Sequence, residues 1–332
     1  MRALLGRVYG GMAALRVEAY RRGILPRARL QGPVVSVGNL SFGGSGKTPV
    51  VQRVAEILRE EGLPVAVLSR GYRGSFRGAA LVVSDGSSVL ASAAVAGDEP
   101  VMLARALPGV VVAVGRRRDV VGRAVEARLG PRVHILDDGF QHLRLERDLD
   151  LLCLDVGDLE DQPLPFGRLR EAPAAVGRAD LILLTRIEAA SEAALAALEQ
   201  RLGPDRTFRV RRRPNGFVTL AGGPVPAPAR VFLLAGIARP ERFDADVRAC
   251  GAAVVGRAFF RDHHAFKPAE LEAAHASARE AGADAVVTTA KDAVRLPLSP
   301  SNPPVLVFRI VAEIEDEPRF RARLLQTARR AA

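Results

Sequence analysis

An α/β fold is what this sequence predicts: a mainly parallel sheet with helices on both faces, followed by a smaller α/β unit. Three observations predict it. Short apolar, β-branched runs alternate with helical stretches through the first two hundred residues. The first run, Val34 to Val37, opens into a glycine-rich loop and then a helical pattern of Val51, Val54, Ile57 and Leu58. A later run, Val133 to Leu136, ends in the acidic pair Asp137-Asp138. Loop and acidic strand end together are far more specific than either alone, and they point to a P-loop nucleotide-binding core.

The loop reads Ser41-Phe42-Gly43-Gly44-Ser45-Gly46-Lys47-Thr48. Glycines let the backbone curl so that its N–H groups face phosphate oxygens, and the N-terminus of the following helix adds partial positive charge. Lys47 is expected to reach the β- and γ-phosphates of a nucleotide, and Thr48 to ligate Mg²⁺. The strict pattern asks for glycine at position 41, where this chain has Ser41. Asp137 is the first choice for the carboxylate that faces the Mg²⁺ across from Thr48, with Asp138 beside it. Two adjacent carboxylates repel unless a cation or arginines sit between them.

The remaining elements follow in order. Pro64 to Ser69 is a buried-type strand ending in Arg70-Gly71-Tyr72, at the carboxyl end where open α/β sheets bind ligands. Leu81 to Ser84 is a strand with an Asp85-Gly86 turn. Gly97-Asp98-Glu99-Pro100 reads as a helix start, and on spacing alone Asp98 is its cap. Val110 to Val114 runs into Arg116-Arg117-Arg118, suited to a phosphate-facing loop or to a solvated charge run. Leu149 to Val156 and Leu181 to Thr185 are further strands, separated by the mixed-charge loop Leu164 to Glu171.

Four segments result. Residues 1–30 form an amphipathic helical region with Leu4, Leu5, Val8, Met12 and Leu15 on one face. It is either packed on the body or laid on an anionic membrane surface, and it is too short and charged to span a bilayer. Residues 31–206 form the nucleotide-binding core. Residues 207–228 read as a two-stranded linker turning at Pro214-Asn215-Gly216, and 229–332 as a smaller domain closing over the site. In that domain His263-His264 is the clustered histidine pair. Neighbours on a strand point apart, so one histidine oriented by a carboxylate, for proton transfer, suits them better than joint metal ligation.

The net charge of +11 argues for an anionic partner: nucleic acid, a membrane surface or a phosphorylated substrate. Aromatics at 5%, with no Trp, and the lack of a binding motif argue against nucleic acid. Two cysteines, Cys153 and Cys250, make neither a disulfide framework nor a zinc site, as suits a reducing compartment. A non-kinase P-loop ATPase or GTPase is the main alternative, but neither a purine-reading nor a metal-ligand motif is found for it.

The ordered set of motifs resembles the tetraacyldisaccharide 4′-kinase family of lipid A biosynthesis. It comprises Val37-Gly38-Asn39 with the loop, Ser69-Arg70-Gly71-Tyr72, Gly97-Asp98-Glu99-Pro100 and Asp137-Asp138-Gly139-Phe140-Gln141-His142. It continues with Pro165 to Glu171, Ala235-Gly236-Ile237, Asp262-His263-His264 and Lys291-Asp292-Ala293. Ser45 and Ala290 stand where Thr and Glu are commoner. The resemblance implies ATP- and Mg²⁺-dependent phosphorylation of the 4′-hydroxyl of a tetraacylated glucosamine disaccharide 1-phosphate. The enzyme would be peripheral, on the cytoplasmic face of the bacterial inner membrane. It implies an Asp–His pair that promotes attack by the sugar hydroxyl, which by position is Asp98 and His263, replacing the cap reading of Asp98. It also implies substrate contacts at Arg70, Tyr72, Arg118, His142, Arg170 and Glu171, with the arginines candidates for the 1-phosphate or for ATP.

Overall fold

The computed structural model describes residues 11, 14–42, 46–297 and 300–330. The loop positions Gly43, Gly44 and Ser45, and the helix positions Leu4, Leu5, Val8 and Met12, lie outside them. Residues 14–21 are helical (α1). Among the described residues no helix is long and apolar enough to cross a membrane.

The centre is β1 (Val34–Asn39), every residue of which is buried. It pairs in parallel with β5 (Val133–Asp137) on one side and β6 (Leu149–Asp155) on the other. Beyond β5 lie β2 (Val65–Ser69), β4 (Val111–Val114) and the antiparallel edge strand β3 (Leu81–Asp85). Beyond β6 lies β7 (Leu181–Thr185). Apart from the half-buried edge strand β3, these strands are buried on both faces, which explains their largely apolar, Val/Leu/Ile-rich runs. From β1 the chain moves outward to β2, returns to β5, and only then crosses to β6. That reversal opens a crevice at the carboxyl ends of β1, β5 and β6.

Helices cover the faces. On α2 (Lys47–Glu60), Val50, Val51, Val54, Ala55, Ile57 and Leu58 are buried at helical spacing. α4 (Asp98–Ala106) and α5 (Arg118–Leu129) flank β4 and β2. α6 (Glu192–Leu202) starts at Ser191, whose side chain accepts from the Ala194 N–H.

Residues 207–228 hold two paired strands, β8 (Thr207–Thr219) and the short β9 (Pro224–Val225), but the chain turns between Thr219 and Gly223 rather than at Pro214-Asn215-Gly216. β8 is one continuous strand, whose first residues pair in parallel with β7. From Val210 on it pairs antiparallel with β13 (Val305–Ile314), which arrives from near the carboxyl terminus. Pro214-Asn215-Gly216 is therefore a bulge rather than a turn. The register shifts there, with Gly216 in the left-handed region at φ 73°. Proline removes one ladder donor but does not end the strand, because β13 continues along it.

The second domain continues the sheet through β12 (Ala285–Thr289), β10 (Arg230–Ala235) and β11 (Ala253–Phe259), all parallel to β13. Its helices are α7 (Pro240–Ala249), α8 (Pro268–Glu280) and the short α9 (Ala290–Ala293). The last helix, α10 (Glu317–Arg330), then returns to the nucleotide-binding core. Phe320 is fully buried and stands edge-to-face on Phe208 at 5.4 Å. Arg53 and Glu317 pair across the same contact. β13 thus carries the chain back beside β8, and α10 packs on the nucleotide-binding core.

Candidate active site

At the end of β1, Gly46 takes the left-handed conformation (φ 75°) and turns the loop into α2 at Lys47. The Lys47 ammonium donates to Asn39 Oδ1 at 2.7 Å and to Asp138 Oδ1 at 2.8 Å. Ser41, in place of the expected glycine, is buried, and its hydroxyl donates to Asp158 Oδ2 at 3.1 Å. Burial pushes the Asp158 carboxyl above its ordinary range. The neighbouring backbone is stitched to the 168–170 segment: the Phe42 N–H donates to Arg168 O and the Arg170 N–H to Leu40 O. A side-chain tie at position 41 thus anchors the start of the loop.

The acidic pair diverges. Asp137 is buried and accepts from Ser69 Oγ at 2.8 Å; burial raises its pKa, and the Asp138 charge adds to that. Asp138 takes the left-handed conformation (φ 56°) and turns across the cleft, where Arg170 donates to both its oxygens at 3.0 and 2.8 Å. Burial works to raise the Asp138 pKa, but Lys47 and Arg170 outweigh it and hold it at about 2. The like-charge problem is met by two cations on one carboxylate and a hydroxyl on the other.

A cleft of about 1210 Å³ runs between the domains. Lys47, Thr48, Asp137 and Asp138 lie on its first-domain wall, and His263 and Lys291 on the other. Asp98 is the first residue of α4, and Gly97 precedes it at φ 95°, where a Cβ would come within 2.5 Å of Tyr72 O. Gly97 holds the cap position, so Asp98 stands inside the helix rather than capping it. Its Oδ2 lies 3.0 Å from Nδ1 of His263, which lines the cleft. His263 takes the left-handed region (φ 61°), and its N–H donates to Gly236 O at 3.0 Å. His264 points away, onto Glu270 at 2.7 Å and stacked on Phe260.

The proposed substrate contacts separate into two sets. Arg70, Tyr72, Arg170 and Glu171 line the cleft. Tyr72 is exposed beside Arg73, and Glu171 is held by Arg178 at 2.7 and 3.0 Å. Arg118 and His142 are not among the residues that line the cleft. Each has a buried ring or guanidinium nitrogen with no partner among the described residues: Arg118 Nε and His142 Nε2. Burial, aided by the Arg118 charge, pushes His142 down to about 3. Such orphaned polar atoms are what a polar ligand group would satisfy.

Three residues were missed by the sequence reading. Glu99 lines the cleft; crowding by its walls, helped by the Asp137 charge, pushes its pKa up. Ser69 and Lys291 hold Asp137 and His263. Only the position of Glu99, beside Asp98 at a helix start, signalled it.

Among the described residues no group of three or more His, Cys, Asp or Glu side chains is placed to hold a metal alone. Mg²⁺ does not require one, because it keeps waters and uses one or two carboxylates with substrate phosphates. Asp137, buried, and Glu99, crowded by the cleft walls, both have their pKa pushed up and make no ion pair among the described residues, which fits such a shared ion.

The family model described as tetraacyldisaccharide-1-P 4′-kinase matches residues 2–329. A tetraacyldisaccharide 4′-kinase of Geobacter metallireducens is 43% identical over 301 residues, 89% of this chain and 87% of its own. One of Anaeromyxobacter sp. (strain Fw109-5) is 46% identical over 314 residues, covering 91% and 84%. The crystal structure of LpxK from Aquifex aeolicus in complex with ATP superposes with a TM-score of 0.82 at 31% identity, covering 98% of each chain. Matched by the family model over residues 2–329 and by relatives at 43% and 46% identity over most of both chains, the chain belongs to the tetraacyldisaccharide 4′-kinase family.

Proposed function

We propose that this chain transfers the γ-phosphate of ATP to the 4′-hydroxyl of a tetraacylated glucosamine disaccharide 1-phosphate, giving lipid IVA. The observation that carries the reading is the Asp98–His263 pair, 3.0 Å apart, whose His263 lines the same cleft as Lys47 and Thr48. A sugar hydroxyl is a weak nucleophile, and a carboxylate within reach accepts its proton as the new P–O bond forms. Asp98 takes that role, and His263 orients it from the second domain.

Lys47 and the loop amides grip the triphosphate, which requires the ammonium to exchange its Asp138 contact for phosphate oxygen. Thr48 and Asp137, with Asp138 and Glu99 near them, would hold the Mg²⁺. When bound, the ion neutralises charge on the β- and γ-phosphates. Arg70, Tyr72, Arg170, Glu171, Arg118 and His142 serve the substrate headgroup, the last two through their unpartnered nitrogens. Leu15 and Ile24 are 72% and 70% exposed, and Arg16 beside them lines the cleft. This supports a protein resting peripherally on the cytoplasmic face of the inner membrane, with the cleft mouth at the lipid headgroups. Nucleic acid has no part in the reading.

The test is transfer itself. Purified protein with γ-labelled ATP, Mg²⁺ and the disaccharide lipid in mixed micelles is expected to give labelled 4′-phosphorylated product. A folded, ATP-binding preparation that labels no lipid would overturn the reading. Mg²⁺ omission with EDTA is expected to abolish transfer, and liposome flotation to recover the chain with anionic vesicles.

A further inference from the structure

The Asp98–His263 pair continues outward. The Lys291 ammonium lies 3.0 Å from His263 Nε2 and donates to Asp262 Oδ1 at 2.9 Å. A lysine ammonium has three donors and no acceptor. A hydrogen bond from it to Nε2 therefore requires the lone pair there, and the single proton of a neutral imidazole is left on Nδ1. That proton points at Asp98 Oδ2.

We propose that Lys291 is a positioning residue that fixes the tautomer of His263, so that the ring donates to Asp98 and cannot relay the substrate proton onward. The inference rests on the reading of Asp98 as proton acceptor and adds to it the proton's destination. In the transfer step the sugar oxygen bonds to the γ-phosphorus. The bond from that phosphorus to the bridging oxygen breaks, with its electron pair leaving on ADP. The hydroxyl proton goes to Asp98 and stays there, because Nδ1 of the neighbouring ring already carries one and Nε2 is covered by a cation.

The surroundings are built for this arrangement. Lys291 sits in the first turn of α9, where the Thr289 hydroxyl accepts from the Asp292 N–H at 3.1 Å. Asp292 is fully buried and accepts from the Gly236 N–H at 3.0 Å, while Gly236 O accepts from the His263 N–H. Ring and ammonium thus hang from one backbone junction. Arg295 lies 3.6 Å from Asp98 Oδ2 and is tied to Asp292 at 2.7 Å, on the other side of the pair.

Asp262 makes the alternative concrete. Its Oδ2 is 3.8 Å from His263 Nε2. Without the lysine, the ring would stand between two carboxylates, Asp98 and Asp262, and Nε2 would gain a proton to donate. Lys291 blocks that state by taking Asp262 as its own partner.

The experiment is ¹⁵N NMR of the full chain labelled at its five histidines, with the His263 signals identified by their loss in His263→Asn. The expected spectrum shows a protonated Nδ1 and an unprotonated Nε2. In Lys291→Met, Nε2 is expected to become protonated, and in Lys291→Arg, which keeps a donor-only cation, to stay unprotonated. In turnover, Lys291→Met is expected to lower kcat about 10- to 100-fold with KM for ATP within about 2-fold. It should add nothing further to His263→Ala. A protonated Nε2 in the unmodified protein, or full kcat in Lys291→Met, overturns the proposal, and the unmodified spectrum serves even if that variant fails to fold. If Asp98→Asn and His263→Ala instead keep full turnover, the underlying reading of the pair fails. If they are crippled while Lys291→Met is not, only the role of Lys291 falls.

Discussion

Replacing Asp98 by Asn tests the chemical step most directly. The amide keeps the shape of the carboxylate, and its oxygen can still accept from His263 Nδ1, now 3.0 Å away. What it loses is the ability to take a proton. A positioned general base contributes about 10²- to 10⁴-fold in rate, or about 2.7 to 5.4 kcal/mol at 1.36 kcal/mol per decade. The Asp98 side chain is only 14% exposed, and His263 closes one side of it, so bulk water is a poor replacement. We therefore expect a loss in kcat of about 10³-fold, the middle of that range. ATP affinity should stay within about 2-fold, because Asp98 touches neither Lys47 nor Asp138 and each of those keeps its own partners. The assay pairs initial rates on the disaccharide lipid with calorimetric ATP titration. A variant that binds ATP weakly but turns over bound ATP at the wild-type rate would refute the argument, because it would place Asp98 in nucleotide binding.

Other substitutions probe other levels. Lys47→Met removes the ammonium from Asn39 and Asp138, and calorimetry is expected to show ATP affinity down about 100-fold, as for loss of a charge-assisted contact of about 3 kcal/mol. His142, half-buried and held near 3 against an ordinary 6.5, binds fewer protons folded than unfolded. Its stabilising share is complete above pH 6.5 and falls away as pH drops toward 3, with a ceiling of about 1.4 kcal/mol per pH unit that solvent screening lowers. Urea titrations at pH 7 and pH 5 should therefore diverge less in His142→Gln than in the unmodified chain. Phe320→Ala empties the contact with Phe208 and should cost about 3 to 5 kcal/mol in chemical denaturation, with α10 released first in hydrogen exchange.

How far the site was legible depends on whether its chemistry is local in the chain. The phosphate loop and the Asp137-Asp138 strand end are local: each lies within one strand–loop unit, and the apolar run before it states where the side chains will emerge. The parallel core followed from the same runs, since strands buried on both faces have no polar alternation to confuse. The β8–β13 ribbon was not legible, because Pro214-Asn215-Gly216 carries a turn's chemistry and only a partner ninety residues onward makes it a bulge. Asp98 shows the limit most clearly. A carboxylate after glycine at a helix start has a local use as a cap, and local reasoning assigns it that use. Its actual partner is 165 residues away, and no periodicity or spacing connects them. The motif resemblance named that partner; Lys291 was in the same motif set without a role, because a lysine's task against an imidazole is defined only once the distance between them is known. Residues whose function is to orient another residue, rather than to meet the ligand, are therefore the ones a sequence withholds longest. In this cleft they are Ser69 and Lys291, each visible only as a hydrogen bond to a side chain on a different element.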